Sequence, residues 1–172
     1  FDAVQFSGHL VATTMGFSMA SIMDPHTETQ TTAIAELQYV MAAMLFLALD
    51  GHHIYLQAVL DSFKILPFAG SKILMMNEGM GNYLIRMTAE VLTLGVKLSA
   101  PILVVIFIIN MTFGMLARAV PQLNFLVVSF AANIIIGMFI VIISLPAFMS
   151  MVNTAFDTYT PEIMNFMKLL GT

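Results

Sequence analysis

The chain reads as long apolar blocks divided by short polar punctuation, and a membrane span needs about 20 predominantly apolar residues. Residues 3–23 contain no Asp, Glu, Lys or Arg, yet Gln5, Ser7, His9, Thr13, Thr14, Ser18 and Ser21 make this first block polar. A helix of that composition does not face lipid on every side. Its small residues Gly8, Ala12, Gly16 and Ala20 recur at a four-residue step, which keeps them on one face and permits close approach by another helix. Met15, Met19 and Met23 follow the same step one position earlier and flank that face. The helix is predicted to stop at Asp24-Pro25-His26-Thr27-Glu28-Thr29-Gln30-Thr31-Thr32. There Pro25 disfavours helical geometry at Asp24, and the polar side chains compete for backbone hydrogen bonds.

A second block, residues 33–49, is interrupted only by Glu36 and Gln38 and ends at Asp50-Gly51-His52-His53. It predicts a short span or half of a kinked helix. An amphipathic helix follows over residues 54–66, with Gln57, Asp61 and Lys64 among apolar positions, until Pro67 closes it. Residues 67–81 hold a proline, three glycines, Lys72, Asn77 and Glu78, and read as the longest connection, with a short amphipathic piece near residues 73–76. A third helix is predicted from about residue 82 to 117, kinkable at Pro101. Arg86 and Glu90 stand there at a spacing that puts them on one face. Residues 119–156 carry no charge over 38 positions, longer than one bilayer core at about 1.5 Å per residue, so Pro121 and Pro146 are expected to divide them. Thr160-Pro161-Glu162 then predicts a fresh start, an N-cap followed by proline at the first helical position, for a short amphipathic terminal helix.

Composition sharpens this picture into a class. With 59% hydrophobic and 9% charged residues among 172, the chain lacks the charge to clothe a soluble surface, where about 25% is usual. Mean hydropathy of +0.93 agrees, and the fold class is all-α and membrane-associated. Six Lys+Arg at a net charge of −4 provide no basic stripe for a phosphate backbone, which excludes nucleic acid as a partner. The absence of Cys removes disulfides, thiolate metal sites and thiol nucleophiles together. The sequence opens at Phe1 directly in an apolar run, as a piece of a longer chain does.

Candidate chemistry is sparse. Asp50-Gly51-His52-His53 has metal-ligating residue types, but adjacent helical positions point about 100° apart and do not readily share an ion, so it reads as an interfacial or packed turn. Asp24, His26 and Glu28 line one side of an extended segment, where Pro25 and solvent favour a plain polar loop over a hard-ion site. No Ser-His-Asp arrangement, Gly-rich phosphate loop or His-x-x-x-His pair anchors an enzyme, and no metal or cofactor is expected. By number alone the 16 Met read first as adaptable core filler of a membrane bundle; Met15, Met19 and Met23 ending at a polar loop shift the reading toward a seal. Arg86, Glu90 and Lys97, on a membrane-associated helix, call for protein or water as neighbours, with snorkelling the alternative for Arg86.

Several of these segments, in this order, resemble one family. Gly16-Phe17-Ser18-Met19-Ala20-Ser21 with Asp24-Pro25, then Leu45-Phe46-Leu47-Ala48-Leu49-Asp50-Gly51-His52, then Ser62-Phe63 and Leu66-Pro67, look like the FliR family of the flagellar type III protein export gate. So does Gly114-Met115-Leu116-Ala117-Arg118-Ala119-Val120-Pro121-Gln122-Leu123-Asn124. The likeness covers nearly the whole chain, is shared with virulence type III secretion counterparts, and lacks the family's N-terminal helical region.

The resemblance implies a non-enzymatic subunit of the bacterial inner membrane at the base of the flagellum, partly lifted toward the periplasm. It implies kinked helical hairpins packed into a hetero-oligomeric gate with FliP-like and FliQ-like subunits, contacted by an FlhB-like switch protein and by lipid, through which unfolded export substrates pass. Residues 1–66 match a FliP-like region with a plug loop at about 17–32, residues 67–81 a connection, and residues 82–156 a FliQ-like hairpin turning at 118–124. Residues 157–172 form the terminal amphipathic helix. By that match Phe17, Met19, Ile22, Met23, Asp24, Pro25 and His26 are pore-plug residues. Arg86, Glu90, Lys97, Arg118, Pro121, Gln122 and Asn124 are expected at contacts between subunits, with the Arg118 turn toward the cytoplasm. Without the resemblance, Pro-broken apolar helices with internal charges equally describe a small-solute transporter, although no internal repeat is visible. The six Lys and Arg are spread too evenly for the positive-inside rule to orient the chain.

Overall fold

A computed structural model describes residues 1–17, 33–65, 78–119 and 125–170, with side chains described over 1–17, 33–63, 81–119 and 127–159. The described residues form five helices: α1 (Asp2–Met15), α2 (Ala33–Ala48), α3 (Gly51–Ile65), α4 (Glu78–Ala119) and α5 (Phe125–Leu170). The all-α expectation holds, and α4 and α5 contain apolar stretches long enough to cross a membrane, Gly81–Ala119 and Val127–Tyr159. α2 and α3 together pass the same test as a pair bent by 73°.

The polar first helix is wrapped by the others. α1 buries Ala3, Val4, Ser7, Gly8, Val11, Ala12 and Met15, a helical repeat covering a broad stripe. It packs chiefly on α4 and then on α2. α4 answers with Gly95, Leu98, Ser99, Ile102 and Ile106 at the same repeat. The small residues set how near the helices come. A Cβ on Gly8 would overlap the backbone of Ala35 in α2 and lie 2.7 Å from its Cβ, and one on Gly95 would lie 2.6 Å from the Phe6 ring. Close packing through Gly8 and Ala12 was legible in their spacing. The two threonine hydroxyls are used locally: Thr13 Oγ1 donates to the His9 carbonyl at 2.7 Å and Thr14 Oγ1 to the Leu10 carbonyl at 2.8 Å, whereas the buried Ser7 Oγ has no partner among the described residues.

The first helix ends earlier than the periodicity suggested. Gly16 takes φ 92°, ψ 8°, its N–H bonds the Thr13 carbonyl, and the Phe17 N–H bonds the Ala12 carbonyl, both at 3.0 Å. This is the Schellman pattern that satisfies a helix's last carbonyls, and glycine enters it without steric penalty. Gly16 is therefore the helix stop as well as a small-residue position of close approach, since a Cβ there would lie 2.7 Å from the Phe130 ring. Ala20 lies outside the described residues.

Proline behaves differently from expectation as well. α4 continues through Pro101, and α5 runs unbroken through Pro146 and through Thr160-Pro161, where the sequence predicts a new helix. One proline removes one backbone donor, at about 3 kcal/mol. In a helix of 46 residues the intact turns and apolar packing on either side outweigh that penalty. At about 1.5 Å per residue, α4 extends about 63 Å and α5 about 69 Å, roughly twice the thickness of a hydrocarbon core.

Two apolar clusters tie the helices together. Val11, Met15, Ile34, Ile102, Ile106 and Val141 join α1, α2, α4 and α5, with Phe17 and Ile140 packed against them. Val4, Ala42, Leu98, Phe148 and Val152 form the second, continued by Leu45 and Phe156. The Phe1, Tyr39, Phe46 and Phe156 rings close its end, with centroids 5.5–6.4 Å apart.

Candidate functional site

Three regions were singled out by sequence: the segment after α1, the charges of α4, and the Asp50 turn. Of the pore-plug residues only Phe17 is described; Met19, Ile22, Met23, Asp24, Pro25 and His26 lie outside the described residues. Phe17 is half-buried against the first core cluster, directly after the left-handed Gly16. A Cβ on Gly16 would stand 2.7 Å from the Phe130 ring of α5, so the chain leaves α1 pinned between its own core and α5. Met15, the first of the three stepped methionines, is completely buried, its side chain seated on Gly137 of α5. It is a core residue of this chain and does not line a free surface.

Among the described charges of α4, Arg86, Lys97 and Arg118 are exposed and Glu90 is half-buried. Arg86 Nε donates to Glu90 Oε1 at 3.1 Å, the one-face pair that the spacing called for. Lys97 is exposed four residues before the proline, within the stretch apolar enough to span a membrane, and Arg118 is exposed in the last turn. At the helix C-terminus the Arg118 cation complements the helix dipole. Pro121, Gln122 and Asn124 fall outside the described residues.

Around those charges the surface is apolar to an extent that a solitary soluble protein does not show. α4 exposes Ile85, Val104, Phe107, Ile108, Met111 and Met115, and α5 exposes Val127, Ile135, Phe139, Ile142 and Ile143. α3 has no buried residue among its described positions and leaves Tyr55, Leu56, Leu60 and Phe63 open. Between α4 and α5, Asn133 Nδ2 donates to Asn110 Oδ1 at 2.8 Å, a polar tie that charge-based reading passed over.

The family to which this architecture attaches is decided by comparison. A family model described as bacterial export proteins, family 1, matches residues 1–159. The chain belongs to this family. Among curated relatives, the flagellar biosynthetic protein FliR of Bacillus subtilis is 27% identical over 169 residues, 98% of this chain and 65% of that protein. The FliR protein of Pectobacterium carotovorum is 30% identical over 146 residues, 85% of this chain and 55% of its own length. That of Escherichia coli is 27% identical over 137 residues, 80% and 51% respectively. This export-family chain thus spans between half and two thirds of the relatives it matches.

The Asp50 turn departs from its sequence reading. α2 ends at Ala48, and Gly51, His52 and His53 open α3 instead of lying in a loop. Asp50 takes φ 55°, the left-handed region that a non-glycine residue rarely enters, and its carbonyl accepts from the His53 N–H at 2.9 Å. Gly51 is needed because a Cβ there would overlap the Phe46 ring. Since Asp50 precedes the helix, the 100° divergence expected of neighbouring helical positions does not separate its carboxylate from the imidazoles. One ligating atom from each of Asp50, His52 and His53 lies within 4.8 Å of the others.

Proposed function

We propose that this chain is part of a non-enzymatic subunit of the flagellar type III protein export gate, which forms and seals the channel for unfolded export substrates in the bacterial inner membrane. Membership of residues 1–159 in the export family is the observation that carries this reading. The physical features support it. Helices about twice the thickness of a bilayer core, clad in exposed Ile, Phe, Val and Met, and interrupted by an exposed Lys97, suit a subunit covered by neighbouring proteins as well as lipid. The partners in this reading are FliP-like and FliQ-like subunits and an FlhB-like switch protein, with the assembly partly lifted toward the periplasm at the base of the flagellum.

Within it, α4 and α5 make the FliQ-like hairpin and α1 to α3 the FliP-like part. Residues 17–32 form the pore plug, hinged at Gly16 and rooted by Phe17. Arg86, Glu90, Lys97, Arg118, Pro121, Gln122 and Asn124 meet other subunits.

Native mass spectrometry of the full-length protein in mild detergent, expressed alone and beside FliP and FliQ partners, tests the proposal. A defined species that forms only with partners is expected. A stable lone monomer or homo-oligomer would overturn the gate reading and turn attention to solute transport.

A further inference from the structure

The bend between α2 and α3 carries a cluster that the export reading leaves unused. Asp50, His52 and His53 bring a carboxylate and two imidazoles together at a 73° break, each offering an atom within 4.8 Å of the others. His53 Nδ1 stands 3.5 Å from Asp50 Oδ1, and the two imidazole centroids are 4.2 Å apart. Independently, His52 Nδ1 is shielded from solvent without a hydrogen-bond partner among the described residues. A buried imidazole nitrogen that no group satisfies is a lone pair or a proton held in reserve.

We propose that Asp50, His52 and His53 form a binding site for a borderline divalent transition cation, of which Zn²⁺ is the type. Two imidazoles and one carboxylate are the donor set this ion class takes, at about 2.0–2.2 Å. Donors on one tetrahedral ion stand roughly 3.4 Å apart, so the three side chains close by about an ångström through χ rotation. The geometry permits that movement. The Asp50 and His53 side chains are 77% and 68% exposed, free to rotate, and leave the remaining coordination positions to water.

The backbone supplies the reason these three residues converge. The left-handed Asp50 turns the chain so that its carboxylate reaches back over the first turn of α3, where consecutive His52 and His53 rings tilt at 49° to each other. A cation at a helix N-terminus meets an unfavourable dipole. The Asp50 carboxylate placed at that terminus offsets it. A metal bound here joins the residue before α3 to its first turn. The inference stands apart from the export reading and does not depend on it.

Zn²⁺ titration of the assembled full-length protein against a chromophoric chelator tests it, with Co²⁺ substitution reporting coordination through its visible absorption bands. One equivalent per chain is expected, with affinity falling at least tenfold in His52→Gln and His53→Gln and unchanged in His9→Gln, a histidine on α1. Because His52 is partly buried, His53→Gln is the variant that keeps the fold, checked by circular dichroism. Failure of the unaltered protein to bind Zn²⁺, or binding that persists in both variants, would overturn the site.

Discussion

Asn133 on α5 donates its amide to the side-chain carbonyl of Asn110 on α4 across 2.8 Å, a polar tie between the two longest helices. Asn133 is buried while Asn110 lies at the edge, and the Asn133 carbonyl oxygen has no partner among the described residues. A hydrogen bond in such a setting contributes about 0.6 kcal/mol and at most about 1.7. Asn110→Leu is therefore expected to lower stability by about 1 kcal/mol, and the double change with Asn133→Leu to recover most of it. A double-mutant cycle on the detergent-solubilised protein, followed by reversible unfolding, gives the coupling directly; a value of zero would mean the pair is incidental.

Gly8 provides a test in which two effects have opposite signs. Helix propensity alone favours alanine over glycine by about 1 kcal/mol. The added methyl, however, would press on Ala35, and overpacking typically costs about 1–3 kcal/mol. Gly8→Ala is expected to destabilise, with Ala35→Gly restoring part of the loss. A stabilised Gly8→Ala protein in a thermal melt would show that α1 and α2 are not held at this distance.

Met15 separates core filling from channel sealing. Completely buried against Gly137, it should lose about 2–5 kcal/mol on Met15→Ala and less than about 1.5 on Met15→Leu. On the proposed gate reading, ion permeability of the assembly should be unchanged by Met15→Leu. A leak produced by that conservative exchange, at unaltered melting temperature, would return Met15 to the seal.

Removal of residues 24–32 is expected to do the reverse. Gly16 and Phe17 anchor the segment's base independently of those residues, so assembly should survive the deletion while conductance to ions and small solutes rises. An assembly that stays impermeable would take the proposed plug role away from these residues.

The exposed charges should matter for association and little for folding. The Arg86–Glu90 pair lies on the surface, where such pairs are worth about 0.3–0.5 kcal/mol. Arg86→Gln, Lys97→Ala and Arg118→Ala are each expected to shift melting little and to weaken co-purification with partner subunits. Unimpaired assembly and secretion in all three would place these residues in headgroups or water.

The chain's helical class, its two long apolar helices, the Arg86–Glu90 pair and the Gly8–Ala12 packing face were legible because each depends on spacing alone. Helix continuity at Pro101, Pro146 and Pro161 was not. A proline's penalty is local and readable, whereas the packing that overrides it comes from residues on other helices. Gly16 was ambiguous for a related reason, since a glycine at the third position of a small-residue stripe and a glycine in a left-handed cap are the same letter. The convergence of Asp50, His52 and His53 was not legible because it rests on one backbone dihedral, φ 55°, which neither composition nor period reports.

The seating of α1 on α4 bears on how the chain is made. Ser7 of α1 and Gln38 of α2 are buried polar groups, and the α4 face that encloses α1, from Gly95 to Ile106, is synthesised long after both. Until α4 emerges from the ribosome, the buried face of the first helix, Ala3 to Met15 with Ser7 among them, has no finished niche within this polypeptide. The order of synthesis therefore makes the first helix wait for the fourth: its packing face is completed by the later half of the chain and not by the segments that directly follow it.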